Sequence, residues 1–234
     1  MEKIFHKPRM LKIKRRSCLN LQKIWMVNYK LTYFDTRGLA EASRQVFHLA
    51  GVKFEDVRIP FGDPSWEKLK KKTPFGQIPV LSVDGFEIPQ SMAILRYLSR
   101  KFGFAGKTPE EEAWVDAIVD QFKDYIVSFR QLIVAVREKK SVDEIEKIRK
   151  EISDPAKESY FKILNGILTK SKSGFLVGDS VTFADLVVAD NLVTLEKNGE
   201  FNRSEQPKLT ALLEKVHNLP KLKKYIGSRP DTQF

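Results

Sequence analysis

The sequence predicts two domains of different class, an α/β unit over residues 27–104 and an all-α unit over residues 110–234. Two observations carry this reading. Strand-like and helix-like periodicities alternate from Tyr29 to Phe102, whereas beyond Pro109 the strand signal nearly vanishes and apolar residues recur at helical spacing. Between the two, Gly103-Phe104-Ala105-Gly106-Lys107-Thr108-Pro109 has the composition of a linker.

In chain order, Tyr29-Phe34 has the aromatic and β-branched content of a strand. Gly38-Leu39 opens a helix with Leu39, Ala42, Val46, Leu49 and Ala50 on one face, stopped by Gly51. Phe54-Ile59 reads as a second strand. Ile78-Val83 and Phe86-Ile88 form a hairpin through Asp84-Gly85, a pair that readily supplies positive φ. Ser91 then starts a helix with Ile94, Leu95 and Leu98 together. This βαβ–ββα order is the thioredoxin-like arrangement.

In the second half, Glu110-Glu138, Asp143-Lys172, Thr182-Lys197 and Pro207-Ile226 show helical periodicity. Thr182-Phe183-Ala184-Asp185 fits a capping box in which Asp185 reaches back to the Thr182 amide, with Val181 as a staple. Its contribution is to folding, about 1 kcal/mol.

Composition narrows the function classes. Hydrophobic residues make up 42% and charged residues 30% of the 234, as in a globular protein with a proper core, and no apolar run approaches a membrane span. The net charge of +11 invites a nucleic-acid reading, but residues 1–25 alone hold eight basic side chains against Glu2. From Met26 onward basic and acidic residues are interspersed, as on a solvated surface. The single cysteine, Cys18, excludes an internal disulfide and a paired-cysteine redox site. His6, His48 and His217 are too scattered for a metal centre, and no metal site is predicted.

The basic extension, residues 1–26, mixes Lys and Arg with Ile4, Phe5, Met10, Leu11 and Ile13. It lacks the apolar core of a secretory signal and has less serine than a typical mitochondrial transit peptide. A polybasic membrane or RNA contact is a further reading. The expectation is a disordered tail, or sequence upstream of a start at Met26.

Five segments bear on chemistry: Tyr29-Lys30-Leu31-Thr32-Tyr33-Phe34, the isolated Trp66, Pro74-Phe75-Gly76-Gln77-Ile78-Pro79, Gln90-Ser91, and Gly178-Asp179-Ser180-Val181-Thr182-Phe183-Ala184-Asp185. Together, and in this order, they resemble the cytosolic glutathione transferases. The resemblance is strongest to the sigma class, which includes the glutathione-dependent prostaglandin D synthases, and it covers Val27 to Phe234. It implies that family's architecture, a thioredoxin-like domain followed by a helical one, with glutathione as co-substrate.

The chemistry at stake is thiol ionisation. A free thiol has a pKa near 8.5, and lowering it by about two units takes roughly 2.7 kcal/mol of preferential thiolate stabilisation. By the resemblance, Tyr33 is the catalytic tyrosine that donates its O–H to the sulfur, and Arg37 is a cation that assists the thiolate and polarises Tyr33. Trp66 and Lys70 would bind the glycyl carboxylate, and Gln77 stands where some sigma relatives have lysine. Ile78, before the cis-proline position Pro79, would offer its backbone N–H and C=O to the cysteinyl portion like an added strand. Gln90 and Ser91 would hold the γ-glutamyl end, with Ser91 at a helix N-terminus that favours an anion. Asp120 would reach across a dimer to the neighbour's glutathione amine.

The resemblance thus implies a homodimeric transferase of detoxification type, conjugating glutathione to small electrophilic or lipid-derived substrates. Phe122, Phe129 and Phe234 are candidates for the electrophile pocket. Leu39 stands where the vertebrate prostaglandin synthases have arginine, which favours conjugation over prostaglandin isomerisation. A non-catalytic ligand carrier is the other alternative, set against by the survival of the glutathione-site residues. No nucleic-acid partner and no stable membrane association are expected. The expected location is cytoplasmic, or mitochondrial should residues 1–25 act as a transit peptide.

Overall fold

The computed structural model describes residues 27–234. The expectations placed on residues 1–26, Cys18 among them, lie outside the described residues. Strand β1 (Tyr29–Phe34) is followed by a 3-10 turn (Gly38–Ala40), helix α1 (Glu41–Ala50), β2 (Glu55–Ile59) and the short helix α2 (Ser65–Lys70). A hairpin of β3 (Val80–Val83) and β4 (Phe86–Pro89) leads into α3 (Ser91–Phe102). The sheet runs β2-β1-β3-β4, with β1 parallel to β2 and antiparallel to β3. This is the predicted thioredoxin-like order.

Local chemistry explains the register. Tyr29, Leu31 and Tyr33 alternate onto the buried face of β1, and Leu81 pairs with Leu31 across the sheet. Asp84 and Gly85 take φ values of 50° and 90° at the hairpin tip, where the Asp84 carboxylate also accepts the Asn28 N–H at 2.8 Å. Helices α1 and α3 cover this face with Val46, Phe47, Ile94, Leu95 and Leu98, all buried.

The second half holds helices and, among the described residues, no strand, as expected. Helix α4 (Pro109–Arg137) is capped by Thr108 and followed by α5 (Val142–Ile148), a π-helical turn (Arg149–Ser153) and α6 (Asp154–Lys170). Thus the span predicted as one helix from Asp143 to Lys172 is interrupted, and Pro155 enters at the start of its second part, where a proline is tolerated. Helix α7 (Phe183–Lys197) forms the centre, packing on α1, α4 and α8. Its Asp185 carboxylate accepts the Thr182 N–H at 2.7 Å, as predicted, and also the Leu176 N–H at 2.8 Å. The span from Pro207 divides into α8 (Pro207–His217) and α9 (Pro220–Ile226), because Pro220 cannot donate to a continuing helix.

Candidate active site

The two halves meet along a cleft of about 830 Å³ between the C-terminal end of β1 and helices α4 and α7. Tyr33 lines it from β1, and the register that buries Tyr29 and Leu31 also buries the Tyr33 ring. Its hydroxyl oxygen accepts a hydrogen bond from the Leu39 backbone N–H at 3.3 Å. Burial is the main influence on this phenol and raises its pKa; the Leu39 amide and the charges of Arg44 and Arg130 oppose the rise. The net result is a protonated hydroxyl, so Tyr33 is a donor at neutral pH.

Gly38 makes this position possible. Its φ is +42°, and a Cβ there would lie 2.9 Å from the Tyr33 hydroxyl. Sequence reasoning read Gly38 only as the opening of a helix.

Trp66, Lys70, Gln77 and Ile78 line the same cleft on the sheet-domain side. Trp66 is set there by α2, a helix not predicted from the sequence, and packs edge-on against Phe34 with ring centroids 5.3 Å apart. The Ile78-Pro79 peptide is cis, as expected. Pro79 is buried behind the cleft, whereas Gln90 and Ser91 sit at the junction of β4 and α3, with Gln90 at φ 72°. Gln90, Ser91 and Asp120 are not among the residues lining the cleft.

The helical side supplies apolar surface. Phe122 and Phe129 from α4, together with Phe234, line the cleft as the sequence suggested. Ile126, Ile133, Val187 and Asn191 join them and were not singled out beforehand. Helical periodicity had marked a face of α4 and α7 without showing which cavity it meets. Asn191 is 5% exposed, and its side-chain oxygen has no hydrogen-bond partner among the described residues.

Arg37 and Asp120 lie away from the cleft lining. Arg37 is 2% exposed and does not line the cleft. Its guanidinium donates to Asp190 Oδ1 at 2.7 Å, to Thr194 Oγ1 at 3.1 Å and to the Gln233 carbonyl at 3.2 Å. The Arg44 guanidinium carbon lies 5.9 Å from the Tyr33 ring centroid, and the charges of Arg44 and Arg130 both favour ionisation of the phenol. Asp120 accepts from Arg96 Nη2 at 2.8 Å, on an exposed face where Arg96 also bridges to Asp116 at 2.8 Å.

Around Arg37 runs a buried ion network that sequence reasoning missed. Asp190 also faces Arg229 at 3.6 Å, and Arg229 pairs with Glu41 at 2.5 Å. Arg44 joins Glu41 at 3.4 Å and Asp56 at 3.0 Å. Burial pushes the Asp190 carboxyl up to about 6, while Arg37 opposes that rise. The network ties α1 to α7 and to the chain end beside Phe234, so it fixes both walls of the cleft.

A thioredoxin-like sheet that presents a protonated tyrosine to a cleft closed by an apolar helical wall defines a glutathione-dependent transferase. Comparison with known proteins agrees. Residues 29–100 match the family model described as glutathione S-transferase, N-terminal domain, and residues 123–229 match the C-terminal domain of the same family. Glutathione S-transferase 4 of Caenorhabditis elegans is 50% identical, covering 88% of this chain and 99% of its own. A solved Nu-class transferase from Haemonchus contortus is 47% identical with a TM-score of 0.80, covering 89% of this chain and all of its own. A solved transferase from the hookworm Necator americanus, described as monomeric, is also 47% identical with a TM-score of 0.81 at the same coverage. The solved rat hPGDS in complex with a quinoline is 34% identical with a TM-score of 0.77, covering 88% of this chain and all of its own. The chain belongs to the glutathione S-transferase family. It is a glutathione transferase, with glutathione as its co-substrate.

Proposed function

We propose that this enzyme activates the glutathione thiol through Tyr33 and conjugates it to small hydrophobic electrophiles. The carrying observation is the Tyr33 hydroxyl, kept protonated by burial and oriented by the Leu39 N–H at the end of the cleft. A donor held in place before reaction stabilises the developing thiolate at no further reorganisation cost. The thiolate sulfur then attacks the electrophilic carbon, and the apolar wall of Phe122, Phe129 and Phe234 supports binding of its hydrophobic body.

Within this reading, Trp66, Lys70 and Gln77 hold the glycyl carboxylate and Ile78 pairs with the cysteinyl backbone, while Gln90 and Ser91 hold the γ-glutamyl end. Arg37 acts as a positioning residue: its bonds to Asp190, Thr194 and Gln233 brace the far wall of the cleft. The glutathione-binding unit comprises residues 27–104 and the helical unit residues 110–234. A two-fold dimer through the exposed α3–α4 face would bring Asp120 to the neighbouring site. By class, the greater identity to the Nu-class enzyme than to rat hPGDS favours a place among the nematode transferases over the sigma class. Among the described residues no helix is long and apolar enough to cross a membrane; the cytoplasm is the proposed place of work.

Turnover of glutathione with 1-chloro-2,4-dinitrobenzene tests the reading. Replacing Tyr33 with Phe removes one transition-state donor and should lower kcat/KM by roughly 10²-fold. Wild-type activity in the variant would remove Tyr33 from the thiolate role.

A further inference from the structure

The cleft carries one cation that is paired with no described residue and that binding of the tripeptide does not account for. Arg130 lies on α4 between Ile126 and Ile133, at i, i+4 and i+7 along the helix face that lines the cleft. It is exposed to the cleft mouth and makes no ion pair or hydrogen bond with any described residue, whereas Arg37, Arg44, Arg96 and Arg229 are each paired with a carboxylate. The other cation lining the cleft, Lys70, comes from α2, beside Trp66, on the sheet-domain side. The one carboxylate in the lining, Asp190, is already held by Arg37 at 2.7 Å and Arg229 at 3.6 Å. An unpaired guanidinium amid Ile126, Phe129 and Ile133 therefore meets an apolar wall and, among the described residues, no anion.

Resting on the transferase reading, we propose that Arg130 is a specificity-determining residue that selects electrophiles bearing a carboxylate on an apolar body. The body lies against Phe122, Phe129 and Ile133, and the carboxylate meets the guanidinium fork. Arg130 and Tyr33 line the same cleft, so a substrate held at Arg130 shares the space of the reacting thiolate. For an α,β-unsaturated ketone the step balances without a further reagent. The thiolate sulfur forms a bond to the β-carbon, the alkene π pair moves through the carbonyl as an enolate, and solvent returns one proton to the α-carbon. Charge recognition at Arg130 leaves this chemistry unchanged and acts on which substrate is held for it.

The test uses two enones that differ only in charge, 4-[(E)-3-oxobut-1-enyl]benzoate and its methyl ester, with the full-length enzyme and saturating glutathione. Because the site is open to water, the preference in kcat/KM for the acid over the ester should be about tenfold, toward the modest end for a charge-assisted pair. Arg130→Gln should bring the ratio close to one, Arg130→Lys should retain most of it, and Arg130→Glu should invert it. Taking the ratio within each variant cancels any general effect on folding or on the thiolate. Equal rates for acid and ester in the wild type, or a ratio unmoved by Arg130→Gln, would overturn the inference while leaving the transferase reading intact. Failure of the wild type to conjugate either enone or 1-chloro-2,4-dinitrobenzene would instead overturn the transferase reading, and this inference with it.

Discussion

The Leu39 backbone N–H donates to the Tyr33 hydroxyl oxygen at 3.3 Å, and Gly38, immediately before it, turns the chain with a φ of +42° so that this contact can form. The bond uses an acceptor lone pair of the phenol and leaves its proton for a sulfur in the cleft. A side chain at position 38 would intrude on the same hydroxyl, since the nearest approach of an added Cβ is 2.9 Å.

Gly38→Ala should therefore impair catalysis more than folding. Positive φ costs a residue with a Cβ roughly 1 kcal/mol, and displacement of the hydroxyl should lower kcat/KM by about tenfold or more. Thermal unfolding and steady-state kinetics on one preparation separate the two effects. A variant with wild-type kcat/KM would show that the hydroxyl position does not matter.

Arg37 and Tyr33 should respond differently to mutation. Removing the guanidinium in Arg37→Met leaves the buried Asp190 with only Arg229, at 3.6 Å, and should cost about 3 kcal/mol of stability. Activity should fall through a looser electrophile wall, with the pH–rate profile unmoved. A shift of the profile to higher pH in this variant would restore the thiolate-assisting role that the sequence suggested for Arg37.

Assembly is the next prediction. Arg96, Asp116, Asp120, Arg100 and Glu112 form an exposed ionic lattice across α3 and α4, with Arg96 2.8 Å from both aspartates. A two-fold dimer through this face should dissociate in Arg96→Glu, with a parallel rise in the KM for glutathione. Sedimentation showing a fully active wild-type monomer would mean that Asp120 serves only its own chain, and would align the protein with the monomeric hookworm relative.

The histidines set a pH dependence. Burial is the first cause lowering the His217 pKa, to about 4, with Arg229, Arg203 and Arg37 adding to it and Glu196 opposing. The unfolded chain takes up this proton below its ordinary value of 6.5 and the folded chain resists it. The contribution to stability is thus complete above pH 6.5 and is lost as pH falls toward 4. Burial also lowers the His48 pKa, in the same sense. Asp185 and Asp190, both pushed up to about 6 by burial, act oppositely, losing stability as pH rises from 3.8 through 6. The His217 share is therefore read by difference: His217→Gln should lose less melting temperature than the wild type between pH 7 and pH 4.5. Equal losses would place His217 in water in the folded protein.

What was legible in the sequence was local. Asp84-Gly85 marked the hairpin and Thr182 with Asp185 marked the start of α7, each within a few residues of chain, whereas the cis Ile78-Pro79 peptide was an expectation of the family resemblance. Pro220 was a visible signal for ending α8, but the apolar period continues across it and masked the break. The π-helical turn at Arg149–Ser153 has no comparable mark, since Arg149 and Lys157 are fixed there by Glu200, far along the chain. In the same way, nothing near Arg37 in sequence announces Asp190, and nothing near Arg130 announces that its helix face meets Tyr33. Partners brought together by tertiary folding decided the site's charges, and single-sequence patterns do not contain them.

The central claim is that the Tyr33 hydroxyl lowers the thiol pKa of bound glutathione. Thiolate absorbance near 240 nm, followed against pH on the complex with glutathione alone, measures that ionisation without any electrophile. The wild-type midpoint should lie about two units below the free thiol's value near 8.5, and should return to within about half a unit of it in Tyr33→Phe. A midpoint that stays low in the variant would contradict the account and pass the thiolate to another group.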